Sequence, residues 1–131
     1  MKTLEIGLLI CNSGSSNSGT LTGMACIELL KELEGDAIGI LSLPALVNQV
    51  PRQVFIAKRM KHILVIDGCS NSCAKNIAEK SGLPCTHYLN LEDDLRIQKS
   101  GPFSTLAYSS EDVAKVKEAI KEMVILMKQL V

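Results

Sequence analysis

The sequence predicts a three-layer α/β sandwich built on a four-stranded, mostly parallel sheet. Three observations carry this. Short aliphatic runs recur at residues 4–10, 37–43, 62–66 and 84–89, with amphipathic stretches of helical period after most of them. Strand and helix alternating in this way is the pattern of a parallel sheet covered on both faces. The apolar content is 47%, almost all aliphatic, with no Trp, two Phe and two Tyr. An aliphatic, aromatic-poor core suits layered packing and disfavours base-stacking surfaces. The 131 residues amount to one domain, 1–131, large enough to bury roughly two-thirds of its unfolded surface without a metal or disulfides.

The elements follow in order. Residues 4–10 form a buried first strand, ending in the polar run Cys11-Asn12-Ser13-Gly14-Ser15-Ser16-Asn17-Ser18-Gly19. Ser18 or Thr20 caps the next helix and Gly35 ends it. Leu21, Met24, Ala25, Leu29 and Leu33 recur at helical spacing as its core-facing stripe. The second strand, 37–43, is stopped by Pro44, and Pro51 opens a short helix to about Met60. The third strand, 62–66, runs into Asp67-Gly68-Cys69, and a helix over 71–80 closes at Ser81-Gly82. A fourth strand occupies 84–89. Residues 90–108 carry no clear period, and Gly101-Pro102 marks a turn. Ser109-Ser110-Glu111-Asp112 opens a long last helix, with Val113, Val116, Ile120, Met123, Val124 and Met127 on its buried face. Right-handed crossovers then favour a flavodoxin-like or Rossmann-like strand order, 2-1-3-4.

Composition excludes several function classes. Fourteen basic residues balance fourteen acidic ones, so no basic field draws in nucleic acid. The apolar runs are far shorter than a membrane span. The start, Met1 to Cys11, has the outline of a lipoprotein signal, but Glu5 interrupts it and Ile10 is too large to precede a cleaved Cys. Five cysteines, an odd number, point to a reduced cytoplasm and to metal or redox chemistry rather than a disulfide frame.

The expected chemistry lies where two loops meet. In the predicted order the first and third strands are neighbours whose helices lie on opposite faces, the switch point at which such folds bind ligands. Cys11 closes the first strand, Cys69 closes the third, and Cys73 follows one helical turn later. Three thiols distant in sequence are therefore expected together at the carboxyl edge. Helix N-termini favour the thiolate, which is both the nucleophile and the metal ligand. Two sulfurs on one tetrahedral zinc lie about 4 Å apart, within reach of a Cys-x-x-x-Cys pair. Gly68 is expected to permit the turn that carries Cys69. Asp67 is expected to cap the following helix, bond loop N–H groups or steady a ligand. The first loop, with Ser13, Gly14, Ser16 and Asn17, offers N–H groups to an anion or forms an ordinary polar turn; it lacks the Gly-Lys-Ser/Thr of a Walker loop. Cys26 is expected buried inside the first helix. Cys85 falls at the opposite edge, His87 on its strand face is a weak ligand candidate, and His62 lies at the wrong edge.

The run Ile66-Asp67-Gly68-Cys69-Ser70-Asn71-Ser72-Cys73-Ala74-Lys75 resembles the signature of the DGC-domain family, as does the loop from Cys11 to Gly19. Lys99 resembles a further family position, and the likeness runs from about Gly7 to Lys99. Zinc binding is inferred in that family from four cysteines. The resemblance implies Cys11, Cys69 and Cys73 as three zinc ligands. The fourth family cysteine follows the second strand, where this chain has Ile40-Leu41-Ser42-Leu43-Pro44. Three sulfurs hold zinc when water or another donor completes the set.

The expected ligand is thus a metal ion, zinc foremost, or a small thiol-reactive or anionic molecule, with no nucleic acid and no membrane as partner. The competing functions are a thiol redox or sulfur-transfer enzyme using Cys11 or Cys69 with Cys73 resolving, a phosphocysteine phosphotransferase acting through Cys11, and a partner-binding domain without chemistry.

Overall fold

A computed structural model describes residues 4–33, 37–83 and 86–130. The elements in chain order are β1 (Ile6–Ile10), α1 (Asn17–Glu32), β2 (Ile38–Ile40), α2 (Leu43–Val47), α3 (Pro51–Lys58), β3 (His62–Asp67), α4 (Cys73–Lys80), β4 (Thr86–Asn90), α5 (Leu91–Leu95) and α6 (Ser110–Gln129). The sheet has the order β2-β1-β3-β4, and all three pairings are parallel. The predicted sandwich and strand order are both present.

Side chains alternate across the central strands, and the core divides accordingly. Ile6, Leu8 and Ile10 with Leu64 and Ile66 face α1 and α6, meeting Leu21, Ala25, Leu29, Val116, Ile120, Val124 and Met127. Leu9, Ile63 and Val65 face the other way, against Leu46 of α2, Ala57 of α3, and Ala74 and Ala78 of α4. Helices leave β1 on one side and β2 on the other, as right-handed crossovers require. The gap between the carboxyl ends of β1 and β3 is therefore a true switch point.

Several boundaries differ from expectation for identifiable reasons. Ser16, not Ser18 or Thr20, caps α1, its side chain accepting from the Gly19 N–H at 3.2 Å. Met24 does not belong to the core stripe and is 37% exposed; the buried face runs at strict four-residue steps through Leu21, Ala25 and Leu29. The second strand ends at Ile40 rather than 43, because Ser42 caps a helical turn that Pro44 opens instead of blocking. The helix expected over 71–80 begins at Cys73. Within 90–108, Asn90 caps the short α5, accepting from the N–H groups of Glu92 and Asp93. The long last helix starts with the expected capping box, Ser109 and Asp112 bonding each other's backbone N–H. The proposed stop at Gly35 and the expected strand position of Cys85 lie outside the described residues. Among the described residues no helix is long and apolar enough to cross a membrane.

Candidate functional site

The loop after β3 is held by its acidic residue. Asp67 is buried at the strand end, where one carboxylate oxygen accepts from the Ala74 N–H at 2.8 Å and the other from Lys75 N–H at 3.0 Å. It thus satisfies two of the N–H groups that open α4, the task usually given to the residue just before a helix. Ser72 occupies that place with a left-handed backbone, φ 55°, and its side chain makes no cap. The Tyr88 hydroxyl donates to Asp67 Oδ2 at 2.9 Å and sits 3.2 Å from Ser72 Oγ. Burial pushes the Tyr88 hydroxyl above its ordinary pKa, and the Asp67 acceptor adds to the rise against donors on Ser72 and Asn90. From β4, Asn90 Nδ2 donates to the Cys69 carbonyl at 2.9 Å. Capping is thus Asp67's role in this structure.

Gly68 lies in the bend that carries Cys69, with a φ outside the left-handed region. It supplies closeness: a Cβ there would stand 2.7 Å from the carbonyl carbon and oxygen of Ser18 and 2.8 Å from the Gly19 nitrogen. The β3–α4 loop rests directly on the backbone that opens α1.

The loop after β1 folds back on α1. Cys11 N–H donates to the Ile66 carbonyl at 3.0 Å, extending the β1–β3 ladder by one step. Asn12, at φ 45°, turns the chain, and its N–H donates to Thr22 Oγ1 at 2.9 Å. Cys11 Sγ lies 3.8 Å from that hydroxyl.

These loops enclose a cavity of about 270 Å³. Cys11, Cys69, Cys73, Ser13, Ser16, Asp67, Gly68 and Lys99, all expected from sequence, line it. Gly14 and Asn17 do not. Ser15, Ser18, Gly19, Leu43 and Ser72 line it as well. Ser18 and Gly19 sat in the loop already singled out, whereas Leu43 and Ser72 carried no chemical signal. Leu43 stands just after β2, on the stretch where the resemblance implies a fourth cysteine. Cys11 and Cys69 are partly exposed and Cys73 is exposed. Cys26, by contrast, is buried on the core face of α1, and burial pushes its thiol up to about 12. His87 and His62 lie away from this cavity. Among the described residues, no three His, Cys, Asp or Glu side chains already converge as a metal centre. The thiols share the cavity without meeting at one point.

Lys99 enters from the segment between α5 and α6, its ammonium donating to Cys69 Sγ at 3.5 Å. Asn17, buried at the start of α1, holds that segment in place. Its Nδ2 donates to the Gln98 carbonyl at 2.9 Å, and its Oδ1 accepts from the Ser100 N–H at 2.8 Å. Its own N–H donates to Ser104 Oγ at 3.0 Å. Asn17 acts behind the cavity, as a clasp. Asn17→Ala is expected to lower stability by about 2 kcal/mol. It should also speed amide exchange at Ser100, read by hydrogen–deuterium exchange. Unchanged exchange there would show that other contacts hold the segment.

Fold and site together define a doubly wound α/β protein with a thiol-lined cavity at its switch point. The model of the DGC domain matches residues 8–120, and the chain belongs to that family. No curated protein and no solved structure shows significant similarity to it.

Proposed function

We propose that the chain binds a thiophilic ligand in this cavity, and that the ligand is a zinc ion held by Cys11, Cys69 and Cys73. One observation supports the reading most: thiols from the end of β1, the end of β3 and the start of α4 line a single small cavity. The donor chemistry fits zinc in its open, three-ligand form. It does not fit the closed four-sulfur form, because Leu43 offers no donor. A zinc ion in such a site supplies a Lewis acid with one exchangeable position. The chain's own part is to bring three sulfurs to the ion, fix the Cys69 backbone through Asn90, and line the remaining wall with hydroxyls.

A second reading rests on the Lys99 contact. An ammonium at Cys69 Sγ places positive charge where a thiolate or a bound anion carries negative charge. Cys69 would then attack a substrate disulfide, releasing its other sulfur as a thiol. Cys73 would displace the first sulfur, leaving a Cys69–Cys73 disulfide and a reduced substrate.

The test is purification without chelator under reducing conditions, followed by metal analysis and thiol alkylation. Zinc should co-purify and be lost from Cys69→Ser. Cys11, Cys69 and Cys73 should resist alkylation until a chelator is added, and Cys26 should stay unlabelled throughout. A metal-free chain with one fast thiol, slowed by Lys99→Met, would reject zinc and support the disulfide chemistry.

A further inference from the structure

The opposite edge of the sheet carries a second group of ligating side chains. His62 opens β3, and His87 lies near the start of β4, level with Leu64. The two rings face each other, their centroids 5.4 Å apart and their planes inclined by 58°. His87 Nε2 stands 3.4 Å from His62 Nδ1. His62 Nε2 lies 3.2 Å from the Leu130 carbonyl oxygen, beyond the end of α6.

The carbonyl decides the tautomer. It can only accept, so His62 Nε2 carries the proton in that bond, and a neutral ring then turns a bare Nδ1 lone pair toward His87. Two imidazole nitrogens on one tetrahedral metal, each about 2.0–2.1 Å from it, stand about 3.4 Å apart. The observed separation has this value. One spacing therefore serves an N–H···N hydrogen bond when the ion is absent and a metal clamp when it is present. A ligating histidine that gives its other N–H to a backbone carbonyl is also the usual way such a ring is oriented. Both rings are half-exposed, and a cavity of about 350 Å³ beside His87, lined also by Met123 and Met127, leaves room for water to complete the coordination.

We propose that His62 and His87 form a separate, two-imidazole site for a borderline divalent cation such as zinc, nickel or copper. It shares no residue with the thiol cavity and does not depend on that cavity binding metal.

The experiment uses the full chain without a histidine tag, with Zn²⁺ as the probe. Zn²⁺ is titrated by calorimetry into the wild type, His87→Ala, His62→Ala and the milder His87→Gln, which keeps a hydrogen-bonding group beside His62. The wild type should show an imidazole site that each variant weakens by about tenfold or more. In the wild type, Zn²⁺ should slow modification of the histidines by diethylpyrocarbonate to a similar degree, a readout that needs no variant. Isotherms that match across all four proteins, or histidines that Zn²⁺ leaves unprotected, would overturn the proposal. Failure of the sulfur site would show instead in thiol alkylation, which these variants should not alter.

Discussion

Replacing Asp67 with Ala should unfold this protein more readily than any surface change, with a loss of about 4 kcal/mol. For a chain of this size the melting midpoint falls by roughly 15 °C. The carboxylate is 1% exposed and accepts from Ala74 N–H, Lys75 N–H and the Tyr88 hydroxyl. Alanine leaves the Ala74 and Lys75 N–H groups without an acceptor, while the Tyr88 hydroxyl can still turn to Ser72 Oγ, and an unmade buried hydrogen bond costs more than a made one contributes. Ser72 does not take over, because its left-handed backbone keeps its side chain from capping. Tyr88→Phe removes one of the three bonds to Asp67, together with the hydroxyl's contacts to Ser72 and Asn90, and should cost about 1 kcal/mol. Urea unfolding followed by circular dichroism separates the two variants. A loss below about 1 kcal/mol for Asp67→Ala would show that the acidic residue does not anchor α4, and its role would then lie within the cavity.

The second large effect is expected at Gly68→Ala. The added methyl meets main-chain atoms of Ser18 and Gly19 at 2.7 and 2.8 Å, and these are fixed by α1 itself. No flexible side-chain end is available to yield. The two loops must separate, at a cost of about 3 kcal/mol. Separation also moves Cys69 relative to Cys11, so alkylation of Cys69 should change rate in the folded protein while Cys26 stays unreactive. Unfolding at the wild-type urea midpoint would mean that the loops do not touch as described. The motif reads as mechanics: Asp67 anchors the helix, Gly68 brings two loops into contact, and Cys69 faces the space between them.

The parts of this fold governed by local pattern were legible in the sequence. The strand runs, the strand order and the gathering of Cys11, Cys69 and Cys73 at the carboxyl edge follow from periodicity and crossover handedness. The α2 turn is hard to read because Pro44 suits a strand stop as well as a first helical turn, and only Ser42, a capping residue two positions earlier, favours the helix. Asn90 ahead of Glu92-Asp93-Asp94 likewise signalled α5 within a stretch that gave no period. Only family resemblance points to Lys99, since no local rule says where a lysine after a five-residue helix will reach. The meeting of His62 with His87 depends on the register between β3 and β4. Register comes from tertiary pairing, so each histidine read singly gave no sign of the other.

The clasp at Asn17 has a consequence for how the chain comes off the ribosome. Its partners at Gln98, Ser100 and Ser104 lie more than eighty residues downstream. The same loop receives Ser104 N–H at Ser15 and the Thr105 hydroxyl at Gly14. During synthesis the first loop cannot complete these contacts until residues 98–105 have emerged. Contacts this distant in sequence also slow folding.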